Sequence, residues 1–150
     1  MKNRILKTET TIYRPLEEVF DFFSKAENLN KITPKNLQFK ILTPLPIVMR
    51  RGTHIDYQLK LFGIPLGWKT EISTWEPPFR FVDTQLKGPY VKWVHEHRFQ
   101  ASGNNTIMTD TIEYLSPGWI LEPLIHQLFV KKNVEEIFKY REKACLEIFK

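Results

Sequence analysis

Between residues 37 and 115 the chain reads as an unbroken run of strands, and the run is followed by one long helical pattern. Successive strand side chains point to opposite faces, whereas a helix returns to one face every three or four residues. Residues 53–61 set Ile55, Tyr57, Leu59 and Leu61 against Asp56, Gln58 and Lys60, and residues 68–75 set Trp68, Thr70 and Ile72 against Lys69, Glu71 and Ser73. Residues 106–115 set Met108, Asp110, Ile112 and Tyr114 against Ile107, Thr109, Thr111 and Glu113. Segments 37–42, 79–86 and 88–101 complete the series, divided by Pro77-Pro78, Gly88-Pro89 and Ser102-Gly103-Asn104-Asn105. Beyond Pro117-Gly118, with Pro123 suited to a first helical turn, Val130, Val134, Ile137, Phe138, Arg141, Cys145 and Ile148 recur at helical spacing. That stripe must be buried, and the only broad apolar surface on offer is the sheet. An α+β fold follows.

Ahead of the run, residues 5–13 read as a strand, 16–23 as an amphipathic helix and 26–32 as a second short helix. The order is thus one strand, two short helices, six strands in a meander and one long helix. A chain of 150 residues suits a single domain spanning 1–150, with no repeat or linker.

The strand at 88–101 is the unusual one. Its outer face carries Lys92, Val94, Glu96, Arg98 and Gln100; its inner face carries Val91, Trp93, His95, His97 and Phe99. Two imidazoles among aromatics predict an interior holding something polar, whether water, a ligand or a reacting group.

The formal charge of +5 is dispersed, its dense pairs being Arg50-Arg51 and Lys131-Lys132, so it reads as a solubility feature and not as a nucleic-acid footprint. It leaves room for transient contact with an anionic membrane. A lone cysteine, Cys145, fits a cytoplasmic setting and sits on the helical stripe as core. Residues 1–7 carry no signal-peptide core, and no apolar run is long enough to span a bilayer.

In an antiparallel meander alternate turns share an end. The connections 61–68, 87–90 and 116–121 therefore gather, bringing Phe62, Ile64, Leu66, Tyr90 and Trp119 together. They are either the gate of an apolar cavity or a membrane-touching rim, or else a cap on the core. The apolar run 45–49 lies at the other end.

Specific stretches carry a resemblance. They are Thr11-Ile12-Tyr13-Arg14-Pro15-Leu16-Glu17-Glu18-Val19-Phe20-Asp21-Phe22-Phe23, then Glu27-Asn28-Leu29, Thr33-Pro34, Pro77-Pro78-Phe79-Arg80-Phe81-Val82-Asp83-Thr84-Gln85, Gly88-Pro89-Tyr90 and Trp93-x-His95-x-His97-x-Phe99. With them the chain resembles the START-like (SRPBCC) superfamily, in its bacterial cyclase/dehydrase-like, stand-alone ligand-binding branch. The resemblance implies a helix-grip fold: a curved seven-stranded antiparallel sheet wrapped around the long C-terminal helix, with a cavity between them. It also implies a small hydrophobic molecule as partner, such as a lipid, hormone, polyketide or quinone, with enzymes as a minority.

The cavity wall is then expected from Tyr57, Leu59, Ile72, Trp93, Phe99, Met108, Ile112, Tyr114 and Phe138, with His95 and His97 at its polar floor. A one-residue slip decides whether Phe81, Asp83 and Gln85 or Val82, Thr84 and Leu86 face His95; the family pattern implies the first set. His95, His97 and Asp110 are the candidate catalytic set, as general acid and base of a cyclase or dehydratase. The same three have the make-up of a facial metal triad, but His-x-His points both rings one way for structural reasons alone, so no metal and no cofactor is expected. Arg141 either holds an anionic head group or pairs with a wall carboxylate.

Overall fold

The computed structural model describes residues 3–150; residues 1 and 2, part of the segment read for a signal peptide, lie outside the described residues. The strands are β1 (Arg4–Ile12), β2 (Lys40–Ile41), β3 (His54–Leu61), β4 (Ile64–Glu76), β5 (Arg80–Lys87), β6 (Lys92–Ser102) and β7 (Asn105–Leu115). They form one antiparallel sheet in the order β1-β7-β6-β5-β4-β3-β2, with register shifts in the β4–β5 pairing that let it curve. Helix α1 (Leu16–Phe23) follows β1, and Ala26–Ile32 and Lys35–Leu37 are 3-10 turns. The second short helix is thus 3-10 rather than α, and strand 37–42 shrinks to two residues.

The C-terminal helix enters through a 3-10 turn, Trp119–Leu121, and an α turn, α2 (Glu122–Ile125). A π-helical turn, His126–Val130, leads into α3 (Lys131–Ile148). Its buried stripe of Val130, Val134, Phe138, Arg141 and Cys145 lies on the sheet as the spacing requires. Ile137 is half-exposed and Ile148 exposed, and Phe149 turns in to meet Phe22 and Phe23.

The core has two large clusters and a smaller third one of Ala26, Ile55 and Ile72. Phe20, Phe23, Phe81, Phe99 and Met108 pack with α1 and Cys145, while Trp68, Tyr90, Trp93, Tyr114 and Phe138 pack at the other end. Phe99, Met108, Ile112 and Tyr114, expected on the cavity wall, are core: each is almost fully buried among side chains. The tip of β3–β4 is a two-residue turn in which Phe62 and Gly63 both take positive φ, so pairing begins at Leu61 and Ile64. Ile64 and Leu66 are therefore strand residues and not loop residues.

The chain leaves the sheet at Gly118, whose φ is +116 and whose missing Cβ would lie 2.3 Å from Cδ1 of Ile125. A side chain is disfavoured there on both counts. Gly118→Ala is expected to cost at least about 1 kcal/mol in urea denaturation; an unchanged midpoint would contradict this account of the turn.

Candidate functional site

Strand pairing assembles the site. Phe81 lies opposite His97 and Asp83 opposite His95 across β5–β6, while His97 lies opposite Asp110 across β6–β7. The register is the one that places Phe81 and Asp83 beside the histidines. Gln85 belongs elsewhere: its amide takes both the N–H and the C=O of Tyr90 and clamps the turn before β6. Gly88 makes room for that clamp, since a Cβ there would lie 2.5 Å from Oε1 of Gln85.

Asp110 is the hub. His95 donates from Nε2 to its Oδ1 at 2.7 Å. Arg141 reaches across from α3 and donates from Nε and Nη2 to its two oxygens, both at 3.3 Å. His97 donates from Nε2 to Oδ2 of Asp83 at 2.6 Å. The other nitrogen of His97, Nδ1, lies 3.2 Å from Nη2 of Arg141 and 3.4 Å from Oδ1 of Asp110. Neutral, it accepts from the guanidinium; protonated, it donates to Asp110. Phe81 stacks on the His97 ring at 4.0 Å and His95 stacks on it at 3.7 Å. The Arg141 guanidinium also lies 5.2 Å above the ring of Phe23.

Buried charge must balance. Two carboxylates face one guanidinium, so the cluster needs one more positive charge. Two imidazolium rings 3.7 Å apart would repel, so one ring carries it. Burial acts against the cation at His97, but the hydrogen bonds to Asp110 and Asp83 outweigh it and raise its pKa above 6.5. Burial and the neighbouring His97 lower His95 from 6.5 to about 4, against the pull of Asp110. Burial pushes both carboxyls up; Arg141 and the histidines overcome it and hold Asp110 well below the usual range, and the His97 hydrogen bond leads in lowering Asp83. Asp83, His95 and His97 also present three ligand atoms within 4.8 Å of one another. A divalent cation there would have to displace the His97 proton and sit beside a guanidinium, in a cluster the proton already balances.

A cavity of about 150 Å³ lies between this cluster, the sheet and the helix. Of the expected wall residues it meets Tyr57, Leu59, Ile72, Phe81, Asp83, Trp93, His95, His97, Phe138 and Arg141. Asp110 stands behind the histidines and does not reach it. Tyr90, expected at a gate, is a buried wall residue. The partly exposed apolar lining residues Leu29, Phe39, Met49 and Ile137 come from the short helical segment, the 39–49 stretch and α3. Phe62, Ile64, Leu66 and Trp119 do not line the cavity, whereas Leu61, Trp68 and Tyr90 from the same connections do.

The sequence reading also missed some lining residues. Ile55, Leu61, Trp68 and Thr70 share faces with Tyr57, Leu59 and Ile72, so alternation already marked them. Phe23, Leu29, Ile32, Phe39 and Met49 carry no such signal, because packing of the short helices and loop brings them in.

The two histidines impose opposite pH dependences. His95, with a lowered pKa, contributes stability above pH 6.5 that is lost as pH falls towards about 4. His97, with a raised pKa, contributes stability below 6.5 that is lost as pH rises through its elevated value. Urea midpoints of the wild type should peak near pH 6.5, falling towards acid as His95 takes a proton and towards alkali as His97 loses one. A wild-type midpoint still rising above pH 7.5 would contradict this. Asp110→Ala, which strands Arg141, is expected to cost about 3–5 kcal/mol in the same measurement.

The fold has solved counterparts. An aromatase/cyclase from Streptomyces sp. R1128 matches with a TM-score of 0.78 at 15% identity, over 99% of this chain and 94% of that one. A norcoclaurine synthase point mutant from Thalictrum flavum, in complex with a transition-state analogue, matches at 0.68 and 12% identity, over 99% and 98%. The major latex-like protein 151 of Panax ginseng matches at 0.60 and 16% identity, over 89% and 96%. Among curated proteins no sequence matches. The family described as polyketide cyclase/dehydrase and lipid transport matches over residues 12–139. A seven-stranded sheet gripping a long helix over an apolar cavity and a match across most of the chain give one conclusion: the protein belongs to the polyketide cyclase/dehydrase and lipid transport family.

Proposed function

We propose that the protein binds a small, largely apolar molecule of about one ring, carrying a hydrogen-bond donor. The observation that carries this reading is the pairing of a small apolar cavity with a polar floor on which Asp83 and His95 present open acceptors. Arg141 gives Nε and Nη2 to Asp110 and keeps only Nη1 without a bond, and Nε2 of His95 is committed to the same carboxylate. What the floor offers a ligand is the Asp83 carboxylate, which keeps 19% of its side chain exposed, and Nδ1 of His95, which makes no hydrogen bond and lies 3.9 Å from Asp83. Both accept, so the ligand brings a hydroxyl or an amine; a carboxylate would meet Asp83 as a like charge. Size sets the rest: a cavity of about 150 Å³ takes a benzene-sized body, so a polycyclic guest would require the wall to move. A buried Nε1 on Trp68, a lining residue, has no partner and adds one donor for a ligand acceptor within reach.

A second reading, acid/base catalysis of the cyclase or dehydratase type, draws on the same floor. His95, held neutral and oriented by Asp110, presents Nδ1 as a base. The likeness to an aromatase/cyclase and a norcoclaurine synthase supports keeping this reading beside the first.

Phenol and benzoate separate these ideas in one titration followed by NMR. Phenol is expected to bind and benzoate to bind at least tenfold more weakly; Ile137→Trp, which fills the cavity from a half-exposed position, should abolish phenol binding, and Asp83→Asn should weaken it about tenfold. Equal binding of both probes, or phenol binding untouched by Ile137→Trp, would refute the proposal. For catalysis the readout is deuterium uptake at the methyl of 4-hydroxyacetophenone in heavy water. Uptake that His95→Gln removes supports a base; protein-independent exchange leaves binding alone.

A further inference from the structure

The helical segment that leads into α3 is built inside out. Glu122, His126 and Val130, four residues apart, face the protein, with Glu122 fully buried. Ile120, Leu124 and Leu128, also four apart, face outward and are 78%, 57% and 61% exposed. Trp119, Leu121 and Phe129 stand beside them, and Phe62 at the β3–β4 tip meets Phe129 with ring centroids 6.1 Å apart. A surface helix in water presents its polar residues outward. Here the polar residues are satisfied inside: Arg4 holds Glu122 with two hydrogen bonds of 3.2 Å, and the Tyr114 hydroxyl is hydrogen bonded to Nε2 of His126 at 2.8 Å. The apolar side is the one left in solvent. Contiguous exposed apolar surface of this kind marks an interaction site.

Charge identifies the occupant. The three segments that meet at this end of the sheet, 60–69, 86–92 and 114–134, contain six lysines and one acidic residue, Glu122. They hold the chain's entire formal excess of +5, although in sequence it looks dispersed. Glu122 is buried against Arg4, while Lys60, Lys87, Lys131 and Lys132 of these segments keep solvent exposure, Lys132 lying 3.8 Å from Glu136. A second copy docked face to face would set these lysines against each other. An anionic bilayer offers them partners and accepts apolar side chains at the same time.

We propose that this end of the protein docks on an anionic lipid surface, with Trp119, Ile120, Leu124, Leu128 and Phe62 inserted at the headgroup level and the lysines on the phosphates. No helix among the described residues is long and apolar enough to cross a membrane. The proposal is independent of what the cavity holds. Leu61 lines the cavity and Phe62, the next residue, belongs to the patch, so docking would place a wall of the cavity at the lipid surface.

Vesicle sedimentation tests it. The protein should bind phosphatidylserine-containing vesicles and bind phosphatidylcholine vesicles at least tenfold more weakly. Binding should shift Trp119 fluorescence to the blue, a signal Trp119→Phe removes, because the other three tryptophans are not exposed. Leu124→Asp with Leu128→Asp should abolish binding, and Lys131→Ala with Lys132→Ala should weaken it on anionic vesicles alone. The leucine variant must keep the native circular dichroism and the phenol affinity, neither residue lining the cavity. Absence of vesicle binding, binding indifferent to these substitutions, or a dimer in sedimentation equilibrium that the leucine variant dissolves would each overturn the proposal.

Discussion

Asp110 is the point on which the interior depends. Its carboxylate is buried on β7, orients His95 on β6 and draws Arg141 in from α3. Elsewhere sheet and helix are joined mainly by apolar packing, which has no direction, with the Arg4–Glu122 and Tyr114–His126 bonds confined to the start of the helical segment. The Arg141–Asp110 pair adds direction, fixing which face of α3 meets the sheet. It also sets a problem that the neighbours must solve, since Asp83 brings a second carboxylate. One proton held on His97 closes the balance, leaving His95 neutral with a free acceptor towards the cavity.

This arrangement explains why the wall is aromatic as well as polar. Phe81 and His95 sandwich the His97 ring, and Phe138 meets the His95 ring edge-on at 5.4 Å. Stiff rings hold the imidazoles in place, so the floor is organised before any guest arrives. Preorganisation of this kind suits selective binding and proton transfer alike. What separates those two uses is the chemistry of the guest.

Much of this was legible in the sequence, for physical reasons. Strand periodicity placed Trp93, His95, His97 and Asp110 on inner faces, and helical periodicity placed Phe138 and Arg141 against them. Alternation fixes faces but not depth. Phe99, Met108, Ile112 and Tyr114 share the inner face yet pack as core, because α1 and the helix cover that part of the sheet. Gln85 has the right parity but lies beyond the stretch where β5 pairs with β6, and its side chain is drawn to the Tyr90 backbone. The buried Glu122 escaped a reading by periodicity because the π turn after it changes the helical register. The outward Ile120–Leu124–Leu128 row escaped for the same reason, hidden in what looked like the approach to an ordinary amphipathic helix.

The charge arrangement around Asp110 is the central claim, and nitrogen-15 NMR of the histidine side chains at pH 6 tests it most directly. The account predicts that His97 has both ring nitrogens protonated and that His95 is neutral, with its proton on Nε2. Two neutral rings, or a proton on Nδ1 of His95, would contradict it.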